Sequence, residues 1–85
     1  MPDPVSTIHH TLMLLRVDPE AGMARYYALM IERDLFGSVR LVRQWDRIGA
    51  RRGSEIAEDF ATEGEAAEAL IRLATLKRRR GYRDL

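Results

Sequence analysis

The sequence contains no cysteine, one lysine and one tryptophan among its 85 residues. The lack of cysteine excludes disulfides, thiolate zinc sites and a cysteine nucleophile. Apolar runs are short and interrupted by charge, so no segment predicts a bilayer-spanning helix. The first ten residues, MPDPVSTIHH, lack the basic and apolar regions of a secretory signal peptide. With 46% hydrophobic and 32% charged residues, the composition is that of a globular protein, for which we expect a cytoplasmic location.

Recognisable catalytic patterns are missing as well. The sequence has no paired-carboxylate site, no glycine-rich phosphate loop and no nucleophile with a base at a readable spacing. His9 and His10 are adjacent, so on a strand they face opposite sides and cannot jointly hold a metal. Ordinary surface and core roles explain them. We therefore expect no enzymatic activity, no cofactor, no metal, no membrane contact and no small-molecule substrate.

Charge is segregated along the chain, although the formal net charge is only +1. Residues 39–53 hold five arginines and one acid, residues 54–68 hold six acids and no base, and residues 77–85 hold five bases and one acid. Two basic stretches separated by an acidic belt predict a polarised surface. Thirteen of the fourteen basic residues are arginine, which suits bidentate recognition of phosphate or carboxylate, although genome base composition also biases arginine usage.

Periodicity and turn residues predict an α+β domain, with an antiparallel sheet of about four strands and one C-terminal α-helix packed on one face. Thr62 followed by Glu65 matches a capping box at the start of the helix, and Gly81 fits the position after its end. Residues 1–6 are expected to form a disordered tail and residues 7–85 a single domain. The predicted strands, the last of them a weak edge strand, are Ile8–Val17, Ala24–Arg33, Val39–Ile48 and Ser54–Phe60.

The stretch from Val39 to Gly49 carries the most distinctive chemistry. Arg43, Trp45 and Arg47 are spaced by two, so in a strand all three side chains share one face. An aromatic ring can stack on a base or sugar while the guanidinium groups pair with phosphate. The alternative is that Trp45 is simply a core residue, but a closed core would require both arginines to be desolvated. We therefore expect this strand to leave the core for the rim.

Two further basic segments are candidates for the same surface. Glycines bracket Arg51 and Arg52 in a loop with no apolar anchor, which predicts exposure. Lys77, Arg78 and Arg79 end the helix, where a solvated helix terminus is the simpler explanation unless the fold brings them beside the strand. The candidate nucleic-acid-binding residues are therefore Arg43, Trp45, Arg47, Arg51, Arg52, Lys77, Arg78 and Arg79.

The segment from Trp45 to Gly49, WDRIG, resembles the W-G-R-[IV]-G signature of the WGR domain family. The similarity extends to RYYAL at residues 25–29, to DLFG at residues 34–37, and from Phe60 through the helix to Tyr82. The resemblance implies the same α+β fold. It also implies a relation to the WGR domains of poly(ADP-ribose) polymerases, which help to bind DNA at strand breaks. A chain of this size is similar to the stand-alone bacterial members, whose role is unassigned.

Carried over by position, the resemblance implies that Trp45 stacks near a terminal nucleotide and that Arg47 makes polar contacts from the same strand. It implies no polymerase activity. The middle glycine of the signature is Asp46 here, whose carboxylate is expected to repel phosphate or to pair with Arg47 or Arg43.

Two functions follow from these features. The first is a non-catalytic module that binds nucleic acid, at DNA ends or nicks, without sequence specificity through the Arg/Trp/Arg strand. The alternative is a protein–protein interaction module that uses the same face.

Overall fold

The computed structural model describes residues 10–85, and the predictions for the N-terminal tail, the strand start at Ile8 and His9 lie outside them. One antiparallel sheet has the strand order β4-β3-β2-β1-β5, and a single helix packs on one of its faces. The predicted α+β fold is confirmed, with five strands rather than about four. The elements are β1 His10–Asp18, β2 Met23–Arg33, β3 Val39–Arg47, β4 Ser54–Phe60, α1 Glu63–Arg79 and β5 Arg83–Asp84.

The strand that was not expected is β5, which pairs antiparallel with the middle of β1. Gly81 turns the chain after the helix with a φ of 97°, a conformation that glycine adopts without strain. The guanidinium of Arg78 then donates two 2.7 Å hydrogen bonds to the carboxylate of Asp84. This short strand is therefore held by a turn and an ion pair rather than by a hydrophobic pattern.

The core lies between the sheet and the helix. Leu14, Leu29, Ile31 and Leu41 are fully buried on the helix-facing side of the three central strands. The helix faces them with small residues, because Ala66, Ala69 and Ala74 form its buried stripe. Small side chains let the helix approach the sheet closely, while the larger strand side chains supply most of the buried apolar area.

Helix α1 begins and ends as its sequence predicts. Thr62 is the N-cap, and its side-chain oxygen accepts a 3.1 Å hydrogen bond from the backbone N–H of Glu65. Acidic residues occupy the first turn and basic residues the last, an arrangement that complements the helix dipole. None of the helices in residues 10–85 combines the length and the apolar character needed to cross a bilayer.

Candidate nucleic-acid interface

Strand β3 runs from the core to the rim of the sheet. Val39 and Leu41 are buried, Arg43 and Trp45 are partly exposed, and Arg47 is exposed. All five share the helix-facing side because alternate residues of a strand point the same way. The predicted departure of this strand from the core is confirmed.

Trp45 belongs to an aromatic cluster that sits at this rim. It lies directly opposite Tyr27 in the β2–β3 register, with ring centroids 6.2 Å apart. Tyr82, which follows the helix, meets Tyr27 edge-on at 6.4 Å. The ammonium of Lys77 lies 4.4 Å from the centre of the Tyr27 ring and 5.5 Å from that of Tyr82. These cation–π contacts tie the end of the helix to the aromatic cluster.

Positive charge is concentrated around Lys77. Burial lowers the pKa of Lys77, and the nearby positive charges of Arg80 and Arg43 lower that pKa further. The Nε of Arg43 is buried and has no hydrogen-bond partner among residues 10–85. The fold therefore holds these like charges close together despite their repulsion. A bound anion would relieve that repulsion.

A row of arginines crosses the sheet just beyond the aromatic cluster. Arg47 lies opposite Arg25, and Arg25 lies opposite Arg16, so three guanidinium-bearing side chains share one row on the helix-facing side. Like charges directly opposite one another are unfavourable in a sheet. Within the described part of the chain, none of these three makes a salt bridge. The row is a further source of unneutralised positive charge.

Several of these groups, among them Trp45, Lys77 and Tyr82, line a recess of about 380 Å³. The loop that carries Arg51 and Arg52 leaves β3 beside it, because Ser54, the first residue after the loop, pairs with Trp45. Both loop arginines are exposed. The residues that line the recess are Arg25, Tyr26, Trp45, Asp46, Arg47, Ser54, Lys77 and Tyr82.

Asp46 does not pair with the neighbouring guanidinium groups. Its Oδ1 accepts a 2.7 Å hydrogen bond from the backbone N–H of Arg47, and among the described residues it forms no salt bridge with Arg43 or Arg47. The register sets it opposite Tyr26, on the other sheet face from Trp45, although both Asp46 and Tyr26 still line the edge of the recess. The expected ion pair of Asp46 with Arg43 or Arg47 is therefore absent from the described residues. In the described part of the chain only glycines have positive φ, so this position needs no left-handed conformation.

The helix-end cations separate from one another. Lys77 joins the recess, whereas Arg78 turns toward β5, where its hydrogen bonds lower the pKa of Asp84 and raise its own. Arg79 lies on the outer face of the helix with Arg72 and Leu76. The structure therefore brings together Arg43, Trp45, Arg47 and Lys77, with the Arg51–Arg52 loop alongside, and leaves Arg78 and Arg79 elsewhere.

Sequence reasoning missed Arg25, Arg16 and Tyr82 as neighbours of this site. Arg25 and Arg16 meet Arg47 only through the strand register, which the sequence does not state directly. Arg25 could have been identified from the position of the β2–β3 turn. A turn over residues 34–38 sets the strand register so that Arg25 lies opposite Arg47. Tyr82 reaches the cluster only because the chain reverses at Gly81.

The acidic belt lies away from the recess except at its first residues, Ser54 and Glu55. Glu55 accepts a hydrogen bond from Gln44 on the opposite face of the sheet. Glu63 pairs with Arg33 at 2.6 Å, where β2 ends and the helix begins. The molecule thus has a basic end around Trp45 and an acidic end around the β2–β3 turn.

The profile of the WGR domain family matches residues 10–85 of this chain. A protein of Sinorhizobium fredii (strain NBRC 101917 / NGR234), described as uncharacterized protein y4dW, is 43% identical over 74 residues. That alignment covers 87% of this chain but 36% of the relative, so the chain spans about a third of the length of the curated relative it matches.

Proposed function

Because this chain belongs to the WGR domain family, we propose that it is a non-catalytic module that binds nucleic acid at DNA ends or nicks without sequence specificity. WGR domains are a non-catalytic family and are known as nucleic-acid-binding modules in proteins related to poly(ADP-ribose) polymerases. The observation that carries the proposal is the recess in which Trp45 lies between Arg47, Arg25 and Lys77.

Each group in the recess has a distinct part in this proposal. The exposed portion of the Trp45 ring stacks on a terminal base or sugar, an interaction of about 1–3 kcal/mol per base. Arg47 and Arg25 contact the adjoining phosphates, and Lys77 adds a point charge while it braces Tyr27. The Arg51–Arg52 loop extends the phosphate contacts. Stacking and phosphate pairing do not read base edges, so the binding carries no sequence preference.

In the alternative function, the polarised surface docks on a protein partner and Asp46 pairs with Arg47 in place of a phosphate contact. The described residues form no such pair. The basic groups instead face one recess with the acidic belt at the other end, which supports an anionic ligand.

Fluorescence anisotropy with nicked, blunt and single-stranded DNA tests the proposal. We expect Trp45→Ala and Arg47→Ala each to weaken binding about tenfold, since each removes a contact of more than 1 kcal/mol. Trp45→Phe keeps an aromatic ring in the partly buried position and is expected to retain most of the affinity. Arg72→Ala, on the outer face of the helix, is the matched control. Absence of binding at low salt, or equal binding by all four variants, would refute the proposal.

A further inference from the structure

The turn between β2 and β3 displays two apolar side chains to solvent. Leu35 is 71% exposed and Phe36 is 92% exposed. Isolated exposed leucines are common on protein surfaces, but a nearly fully exposed phenylalanine beside one is not. We name this pair, Leu35 and Phe36, the tip.

The tip is held rigidly by its turn. Oδ1 of Asp34 accepts hydrogen bonds of 2.9 Å from the backbone N–H groups of both Phe36 and Ser38. The backbone of Asp34 adds bonds with Ser38 at 3.0 Å and with Gly37 at 3.1 Å. Gly37 has a φ of 82°, and no atom lies within 4 Å of the position that a Cβ would occupy. The glycine is therefore required by the backbone conformation of the turn and not by close packing. A preordered turn backbone reduces the entropy lost when the two apolar side chains dock.

A complementary groove lies on the outer face of helix α1. Ile71 and Leu76 are 60% and 48% exposed, and together with Thr75 they line an open depression of about 320 Å³. Arg72 and Arg79 flank it. We name this depression the helix groove. It is apolar at its floor and positively charged at its rim.

The charge around the tip is opposite to the charge of the groove rim. The two arginines nearest the tip, Arg33 and Arg40, are already paired with Glu63 and Glu32. Asp34 lies within the turn, and Asp59 lies opposite Arg40 in the β3–β4 register. Acidic surroundings disfavour a phosphate-bearing surface and favour a partner with a basic rim.

The tip cannot fill the groove of its own molecule. The salt bridge between Arg33 and Glu63 fixes the β2–β3 turn beside the first turn of the helix. Ile71 begins the groove eight residues later, which is about 12 Å along the helix axis. We therefore propose that the tip of one copy of this chain docks into the helix groove of a second copy.

This contact joins two different surfaces, so the association is head to tail. A heterologous contact that does not close into a ring yields a series of growing oligomers rather than one dimer. Neither surface includes Trp45 or the recess around it. Self-association is consequently measurable without DNA, and its failure would leave the proposed nucleic-acid role untouched.

Sedimentation velocity over a range of protein concentrations tests the tip and the groove separately. We expect the unmodified chain to form species larger than a monomer as its concentration rises. The tip variant Leu35→Ser/Phe36→Ser and the groove variant Arg72→Glu/Arg79→Glu are each expected to weaken this association at least tenfold. Val17→Ser, which removes another exposed apolar side chain, is the matched control. All five altered side chains are exposed, and circular dichroism verifies that the folds are unchanged.

Mixing the two variants gives the sharpest result. The tip variant keeps a groove and the groove variant keeps a tip, so the mixture is expected to form a one-to-one heterodimer and nothing larger. A monomer at all concentrations of the unmodified chain would overturn the proposal. Association that survives both sets of substitutions, or a mixture that stays monomeric, would overturn it as well.

Discussion

Asp46 is the residue at which this chain departs from the W-G-R signature, and its position limits what that departure can do. The carboxylate is held by the Arg47 backbone N–H on the sheet face away from Trp45. It therefore does not neutralise the guanidinium groups that face the recess. Because Asp46 lines the edge of the recess, its remaining effect on a bound phosphate is a repulsion through water, which is weak and screened by salt.

Replacing this charge tests that view. We expect Asp46→Asn to tighten DNA binding about twofold to fourfold at low salt, because one repulsive charge at the edge of the recess, roughly 5 to 10 Å from a phosphate, is worth about 0.4 to 0.8 kcal/mol in water. The gain is expected to vanish at high salt. Anisotropy titrations at two salt concentrations measure it. Asp46→Gly restores the signature residue but also loosens the strand, so asparagine is the cleaner variant. A tenfold gain would mean that Asp46 opposes phosphate at close range.

At the scale of the element, helix α1 shows how a single residue, Thr62, determines where a helix begins. The hydrogen bond from the Glu65 N–H to the Thr62 side chain satisfies one of the free donors of the first turn. We expect Thr62→Ala to lower the free energy of unfolding by about 1 kcal/mol and Thr62→Ser to leave it nearly unchanged. Urea denaturation followed by circular dichroism measures both. Equal stability of the alanine and serine variants would show that the cap does not stabilise this helix.

Elements whose signals lie in their own residues could be predicted from the sequence, whereas an element that depends on distant residues could not. The four longer strands and the helix are specified by their own residues, through turn signals, apolar spacing and the Thr62 cap. The fifth strand is not, because its two residues pair with β1 only after Gly81 reverses the chain and Arg78 holds Asp84. An element this short has no periodicity of its own to read.

The candidate site was predictable to the same extent. The alternation of Arg43, Trp45 and Arg47 follows from strand geometry alone, and the structure keeps them on one face. Arg25 and Tyr82 come from other elements, so their approach depends on register and on the path after the helix. Helical spacing does distinguish Lys77, which lies three residues after the buried Ala74, from the two arginines that follow it. Adjacent helical residues point about 100° apart, which sends them to different neighbours.

At the scale of the whole molecule, charge is divided between two ends. Arg16, Arg25, Arg43, Arg47 and Lys77 cluster near the end of the helix, and the exposed Arg51–Arg52 loop lies beside them. The acids of residues 58–68 lie toward the β2–β3 turn and the start of the helix, where Arg33 and Arg40 are already paired, whereas Asp18, Asp46 and Asp84 lie at the basic end. Such a dipolar molecule orients itself toward a polyanion before contact.

The salt dependence of DNA binding measures how many of these charges take part. Each phosphate that a protein cation neutralises contributes about 0.9 to the slope of log K against log salt for duplex DNA. We therefore expect Arg51→Ser/Arg52→Ser to reduce the magnitude of that slope by about 1 to 2, because both side chains are exposed next to the recess.

A control variant and a series of salt concentrations are needed to interpret the change in slope. Arg72→Ser removes a basic side chain from the outer face of the helix and is expected to leave the slope unchanged. Anisotropy at four salt concentrations supplies each slope. A double variant with the slope of the unmodified chain would exclude the loop from the interface and confine phosphate contact to the sheet. A slope for Arg72→Ser that falls about half as far as the slope of the double variant would instead indicate that DNA responds to total charge rather than to one end of the molecule.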